Sequence, residues 1–446
     1  MPAVYREPAR DVPVMGEFDV VVAGGGPAGC AAAIAAARHG ARALLVEEDG
    51  YLGGTTVDGL VVPILSTNGV DFQGVWHELM HKLKGRNGVA GLAPRRGFSY
   101  MLVGSVDPEM VKLAWDELAT DAGVVLLHHA LVAGAMVGEG GVGGVLAETR
   151  AGRRAILARR VVDCTGDGAV CAAAGVPWEQ GADGRKWAMA VTKVFRWGGV
   201  PLPKEIRPGQ GIPGFGRSID HRAGEAMGFN RILRIDPLDP WDLTRAEREG
   251  RAIAWNALDA KRKKPGGEHL RLVDPSHRIG VRSSRRIHGI ATATRDDAWN
   301  FRKHPDGIAR SSWDIDIHSP EVPNLPAVPR DSPAYKPRIE RMQRGDYFDI
   351  RYGCIVARGV DNLLVAGRCL SAEHEAQASL RIQQTCMATG QAAGTAAALS
   401  LRQGVPPREL DPSALVAQLA RDRAAVEPAF EELKDLPIVP RPGDTG

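Results

Sequence analysis

Cysteine and aromatic residues are scarce in this 446-residue chain, which has six cysteines and only 5% Phe, Trp and Tyr. The cysteines (Cys30, Cys164, Cys171, Cys354, Cys369 and Cys386) form no C-x-x-C pair and no metal-ligand spacing. That excludes a redox dithiol and a metal site of recognisable pattern, and leaves six reduced, mostly buried small hydrophobes. Charge of one sign is also lacking, since 56 Lys and Arg stand against 53 Asp and Glu for a net +3. The arginines of the middle region are interspersed with Asp296, Asp297, Asp314 and Asp316, so no sustained basic stripe for a nucleic acid emerges. An unbroken membrane-length apolar run is missing too: the stretch 18–37 comes near, but a Gly-Gly-Gly-Pro turn interrupts it. The start, Met1 to Glu7, is polar and has no apolar core of a secretory signal. A cytoplasmic protein with no membrane span, no repeat and no low-complexity segment is expected. Its length predicts two structural units.

What is present is a strand–turn–helix–strand unit. Phe18 to Ala23 is apolar and enters the G-x-G-x-x-G turn of Gly24, Gly26 and Gly29, which opens an alanine-rich helix; Ala43 to Val46 then forms a second apolar strand ending in Glu47. Each part has a physical task. Gly24 permits the tight turn, Gly26 with Pro27 and Ala28 lets backbone approach a pyrophosphate, and Gly29 allows close helix–strand packing. The helix N-terminus presents free N–H groups and positive dipole to that pyrophosphate. Glu47 lies at the spacing from which a carboxylate accepts hydrogen bonds from an adenosine ribose. An ordinary strand–helix turn would not need all of these in register.

Further along, Leu52-Gly53-Gly54-Thr55-Thr56 reads as a loop able to wrap a ligand. Periodicity predicts a helix over 72–83, and Asp107-Pro108-Glu109 caps another that runs to about Ala122. Strands are expected at 124–128, at 132–137 and 144–148 as a small antiparallel pair, and at 158–166. From Trp187 to Tyr347 prolines, arginines and tryptophans rise, and the strand–helix alternation stops. This predicts a division into a dinucleotide-binding first part (1–186), an inserted unit (187–347) and a returning second part (348–446). The returning part holds the short strand Asn362 to Gly367, a helix over 387–402, and a shorter one from Asp411 to about Val426, stopped by Pro428.

The first unit alone suits either NAD or FAD. The small-residue helix after Ser379-Leu380-Arg381, with Gly390 and Gly394, looks built to approach a flat ligand, its N-terminus facing an electron-rich edge such as flavin O2/N1. Tight packing of a helix on a sheet is the alternative. The motifs Val22 to Gly29, Leu52-Gly53-Gly54, Asp163 to Gly168, Arg282 to Ile287, Asp314 to His318 and Asn362 to Arg368 resemble those of the FAD-dependent oxidoreductases. These belong to the two-dinucleotide-binding-domain, glutathione-reductase-like superfamily. The resemblance covers nearly the whole chain. It implies an α/β fold, in which a Rossmann-like FAD-binding domain with a parallel central sheet carries an inserted α+β substrate domain. It also implies Thr165, Gly166 and Asp167 beside the cofactor, and Gly367 and Arg368 at its ribityl and pyrophosphate. Ser283 stands where the family's arginine motif usually carries Glu.

No second G-x-G-x-x-G follows, so no dedicated NAD(P)H domain is expected, and hydride would pass directly between one small polar substrate and flavin N5. The electron acceptor or donor and the oligomeric state are left open. For the accompanying proton, His374 and His318 are candidate bases, each alternatively a hydrogen-bonded structural histidine. Arg381 is the best single anion contact. Arg278, Arg282, Arg285 and Arg286, expected on a strand over 278–282 and the turn after it, either clamp a carboxylate or form a structural ion-pair network. Tyr352 lines the substrate side or packs in the core. Two further readings are a flavin-dependent monooxygenase and an RNA-binding flavoprotein.

Overall fold

The computed structural model describes residues 4–424 apart from residue 6 and the stretches 68–73, 87, 96–97, 183, 201–210, 213–215, 219–224, 323–332 and 334. Five parallel strands build the centre. Val14–Ala23 pairs with Ala43–Val46 on one side and Gly152–Asp163 on the other, and Val125–Leu127 and Leu363–Val365 extend the two flanks. Val20, Val21, Val22 and Ala23 are completely buried. A parallel sheet covered on both faces demands such an unbroken apolar run, rather than alternation.

Helix Pro27–Arg38 covers one face and is itself crossed by helix Gln383–Gln403. The crossing is tight: a Cβ on Gly390 would lie 2.0 Å from the Ala28 carbonyl oxygen, and one on Gly394 1.9 Å from that of Ala32. Both glycines are therefore needed for contact between two helices. The expectation that they press against a flat ligand gives way to the packing alternative. The helix also begins earlier than periodicity suggested, at Gln383, because two polar residues in its first turn hid its start.

Leu131–Gly138 and Gly141–Thr149 pair antiparallel as expected, but they are no separate small sheet. Gly141–Thr149 continues onto the first half of Gly152–Asp163, making this hairpin the edge of the main seven-stranded sheet. Asp107 caps helix Pro108–Asp121 by accepting from Glu109 N at 2.8 Å and Met110 N at 3.3 Å. The expected helix over 72–83 is Val75–Lys84; Phe72 lies outside the described residues. Pro63–Thr67, Val89–Arg95 and Phe98–Val106 form a three-stranded antiparallel sheet that the sequence did not reveal. The last helix described is Pro412–Arg421, and Val426 and Pro428 lie outside the described residues.

A second, five-stranded antiparallel sheet runs through Gly211–Ile212, Gly216–Ser218, Glu225–Ile232, Val191–Gly198 and Arg271–Pro275. Helix Pro240–Arg262 buries Ala246, Gly250, Ala254 and Leu258, and Phe195 and Trp197 sit in a core with Ala254 and Leu258. The strand expected over 278–282 is absent as a strand. Within 278–282 only Gly280 bridges, to Thr192, and Asp314 to His318 is irregular. Both segments use their backbone and side chains in cross-links described below, which do not need a ladder. Among the described residues no helix is long and apolar enough to cross a membrane.

Candidate active site

The glycine turn is held from three directions. Gly24 adopts φ +96°, where a Cβ would strike the Cys164 carbonyl at 2.7 Å, and a Cβ on Gly29 would lie 1.7 Å from the Gly24 oxygen. Gly26 differs: the nearest atom to its Cβ position is Gly54 Cα at 4.0 Å. Nothing among the described residues requires glycine there, so the space beyond it is a cradle. Gly26 is also the N-cap of helix Pro27–Arg38, with Pro27 in the first turn and no side chain capping the N–H groups of that turn. A buried, twelve-residue helix that leaves its first-turn donors uncapped is prepared for an external anion.

Glu47 ends the second strand and accepts from Gly25 N at 2.6 Å through Oε2 and from Asp49 N at 2.8 Å through Oε1. Each oxygen retains a lone pair. Burial, reinforced by Asp49 and Glu48, pushes its carboxyl up to about 7 despite those two bonds. Gly53 N donates to the Gly25 carbonyl at 2.9 Å, Gly54 packs its Cα against Gly26, and Thr55 lies half-buried in the same single turn. The loop is then tied to the far end of the chain, because Thr56 Oγ1 donates to Gln383 Oε1 at 2.6 Å and Gln383 Nε2 to the Val61 carbonyl at 2.7 Å.

The other expected turns meet across the sheet. Thr165 Oγ1 donates to Asp163 Oδ1 at 2.7 Å and accepts from Ala169 N, so buried Asp163 and Thr165 hold the turn from inside. Arg368 then joins everything. Its Nε donates to Gly166 O at 2.7 Å, Nη1 to Val281 O at 3.0 Å and Nη2 to Asp167 Oδ1 at 2.6 Å. Ser284 Oγ donates to the same Asp167 oxygen at 2.6 Å. Burial opposes ionisation of Asp167, but Arg368 and Ser284 outweigh it and hold the carboxyl below its ordinary range. Gly367 N donates to Thr389 Oγ1 at 3.2 Å. Gly390, like Gly24 and Gly29, is packed against backbone of the chain itself.

Of the three candidate catalytic residues, the structure brings two together. His318 Nε2 lies 3.0 Å from Asp316 Oδ2, and Arg381 Nη2 donates to Asp316 O at 2.9 Å and approaches Oδ2 at 3.3 Å. Arg282 stands beside them, its Nη1 bound to Ala190 O and Thr192 Oγ1. Burial, aided by the Arg282 and Arg381 charges, depresses the His318 imidazole to about 4 against the opposing hydrogen bond and charge of Asp316. His318 is consequently neutral near pH 7 and able to take a proton. His374 opens helix His374–Leu380, about 10 Å of helix rise from Arg381. Gln377, between them, donates to both Arg282 O and Arg368 O at 3.1 Å.

The remaining motif residues are structural. Ser283 Oγ accepts from Met189 N at 3.0 Å, and Tyr352 is buried with its hydroxyl donating to Pro407 O at 2.7 Å, the core alternative. The role of Asp316 as the hub joining His318 to Arg381 was missed. Its signal was the Asp-x-His spacing, which cannot name Arg381 as the third member.

A parallel sheet, a glycine turn feeding an uncapped helix and an acid closing the second strand define an α/β dinucleotide-binding enzyme fold. Residues 19–419 match the FAD dependent oxidoreductase family, and the chain belongs to it. Its cofactor is FAD and it is an oxidoreductase. A 101-residue stretch is 38% identical to glutathione reductase of Schizosaccharomyces pombe, covering 22% of this chain and 19% of that protein, so the match spans about a fifth of that relative. Among solved structures, the chain is similar to a geranylgeranyl bacteriochlorophyll reductase-like protein from Thermoplasma acidophilum (13% identity, 92% of this chain and 84% of that one, TM-score 0.44). It is also similar to anhydrotetracycline hydroxylase from Streptomyces rimosus (14%, 91% and 68%, 0.47) and to a flavin-dependent brominase (13%, 91% and 84%, 0.49).

The residues present fit FAD. The Gly26 cradle and uncapped helix suit its pyrophosphate, and the free lone pairs of Glu47 suit its ribose. At the start of helix Gln383–Gln403, Ile382 offers no side-chain cap, and Thr385 Oγ1 is buried without a hydrogen-bond partner. These suit the polar edge of its ring system.

Proposed function

We propose that this enzyme transfers hydride between a small polar organic substrate and flavin N5, without a dedicated NAD(P)H domain. Bound FAD supplies the two-electron centre of that chemistry. The chain's own residues do the rest. Gly24, Gly26, Pro27, Ala28 and Gly29 hold the pyrophosphate end, with Glu47, Gly53, Gly54 and Thr55 around the adenosine side. Thr165, Gly166, Asp167, Gly367 and Arg368 form the cross-linked floor. His318, kept neutral by burial and oriented by Asp316, takes the substrate O–H or N–H proton when the neighbouring C–H bond breaks; Arg381 holds the substrate. His374 is the second candidate for the base. The unit 187–347 supplies the substrate side.

The observation that carries this reading is the continuous run of contacts from Gly26 through Gly54, Thr56 and Gln383 to Arg381, Asp316 and His318. Arg381 precedes by two residues the helix start that suits the ring edge, and Asp316 links it to His318. The test is anaerobic bleaching of the purified flavoprotein by hydroxy acids, polyols, amines and enoates. Bleaching by one class without nicotinamide is expected. Bleaching by NAD(P)H alone would move the protein to the monooxygenases. If no organic compound reduces the oxidised protein or reoxidises the chemically reduced one, the proposal fails.

A further inference from the structure

We propose that Arg282 and Arg381 form a carboxylate-binding subsite, so that the substrate is a small organic acid; this rests on the hydride-transfer reading and names its substrate class. Four arginines share the 278–286 segment, and the structure separates them. Arg278 is bound to Glu48 and, at 2.8 Å, to Asp49. Arg285 donates to Asp167 O at 3.0 Å and lies over the Trp178 ring at 4.9 Å. Arg286 donates to Gly181 O at 2.9 Å and reaches Glu179 at 3.3 Å. Those three fasten one part of the fold to another.

Arg282 is different, because the charged groups acting on it are Arg381, Asp316 and Arg231. Arg381 pairs with the Asp316 carboxylate, which is already engaged by His318, and Arg282 adjoins them through Ala190, whose carbonyl binds its Nη1 and whose N–H donates to His318 O at 3.0 Å. Arg381 keeps a buried Nε without a hydrogen-bond partner. Its side chain and that of His318 are each 13% exposed, and that of Asp316 33%, so the cluster is enclosed yet reachable. Burial first, then the neighbouring Arg381 charge, lowers Arg282 to about 9 against the opposing charge of Asp316. A planar carboxylate matches guanidinium donors and adds to that opposing charge. It would also place the carbon skeleton of an organic acid beside neutral His318.

The test uses the FAD-loaded full chain with benzoate as probe and benzamide as its uncharged isostere. Binding is followed by calorimetry and by perturbation of the visible flavin spectrum. Benzoate should bind and benzamide should not. Arg381→Gln and Arg282→Gln should each weaken benzoate by about 10- to 100-fold at unchanged FAD content, the loss expected for a charge-assisted pair. Arg381→Lys should fall between, and Arg278→Gln should match the parent. Equal binding of acid and amide, equal displacement by nitrate, or indifference to the two substitutions would overturn the subsite. So would a shifted flavin potential in Arg381→Gln with benzoate affinity intact, since the charge would then serve the ring. If the glutamine variants lose FAD, Arg381→Lys and the acid–amide comparison decide. Bleaching by neutral compounds alone would sink this inference and leave hydride transfer standing. Benzoate binding without any reducing substrate would do the reverse.

Discussion

Arg368 reaches Asp167 at 2.6 Å across 201 residues of sequence. That contact closes the first part of the chain onto its last part at the end of two neighbouring strands, Gly152–Asp163 and Leu363–Val365. Because the same guanidinium also serves Gly166 O and Val281 O, one side chain satisfies three separate segments. Replacing it with Ala leaves Asp167 and two carbonyls without that donor. A loss of about 2–3 kcal/mol is expected from three such bonds. Urea unfolding of the FAD-free protein measures it, and an unchanged midpoint would show that the contact is not structural.

Two glycines that look alike in sequence should behave oppositely. Gly390→Ala drives a Cβ into the Ala28 carbonyl, forcing two helices apart, and should cost about 2 kcal/mol or more of stability. Gly26→Ala meets no atom of the described residues closer than 4.0 Å. It should leave FAD-free stability within about 0.5 kcal/mol while weakening FAD at least about tenfold, because the methyl fills the cradle. Thermal melts and FAD titrations separate the two effects. A destabilised Gly26→Ala protein would contradict the cradle.

Glu47 gives FAD binding a pH dependence of predictable sign. Its carboxyl is raised in the folded protein to about 7, so its contribution to stability is present at acid pH and lost as pH rises through about 7. Ribose hydroxyls donate to the ionised form. FAD affinity should therefore rise with pH up to about 7 and level off above. Glu47→Gln should abolish that slope and weaken FAD by about tenfold at pH 8, the worth of one charge-assisted bond. A slope that survives the substitution would assign it to another group.

His318 carries the opposite sign. Its folded value, about 4, lies below the ordinary 6.5. Stability from this group is complete above pH 6.5 and falls as pH drops toward 4, by an amount of order 3 kcal/mol. The groups acting on it are Asp316, Arg282 and Arg381. Flavin reduction in the absence of bound anions should show no limb near pH 6.5. His318→Asn should slow reduction about 100-fold with FAD retained, and His374→Ala should slow it less. The reverse ranking in stopped-flow reduction would transfer the proton to His374.

The sequence by itself determined the dinucleotide half. Gly24, Gly26, Gly29 and Glu47 lie within one β-α-β unit, whose geometry depends on local turn sterics, helix dipole and strand burial, so spacing alone could name them. Thr165-Gly166-Asp167 and Gly367-Arg368 were legible as turns but not as partners, since their contact depends on neighbouring parallel strands far apart in sequence. Tertiary structure alone decided the use of small residues, because a glycine stripe reads identically whether a ring or a second helix presses on it. It also decided the cluster of Arg282, Asp316, His318 and Arg381. These come from three irregular or terminal segments with no periodicity to read, and long-range contacts, Arg282 to Ala190 O, Ala190 N to His318 O and Arg381 to Asp316, bring them to one place. Local rules set backbone shape, whereas the placing of charges beside one another is a property of the folded whole.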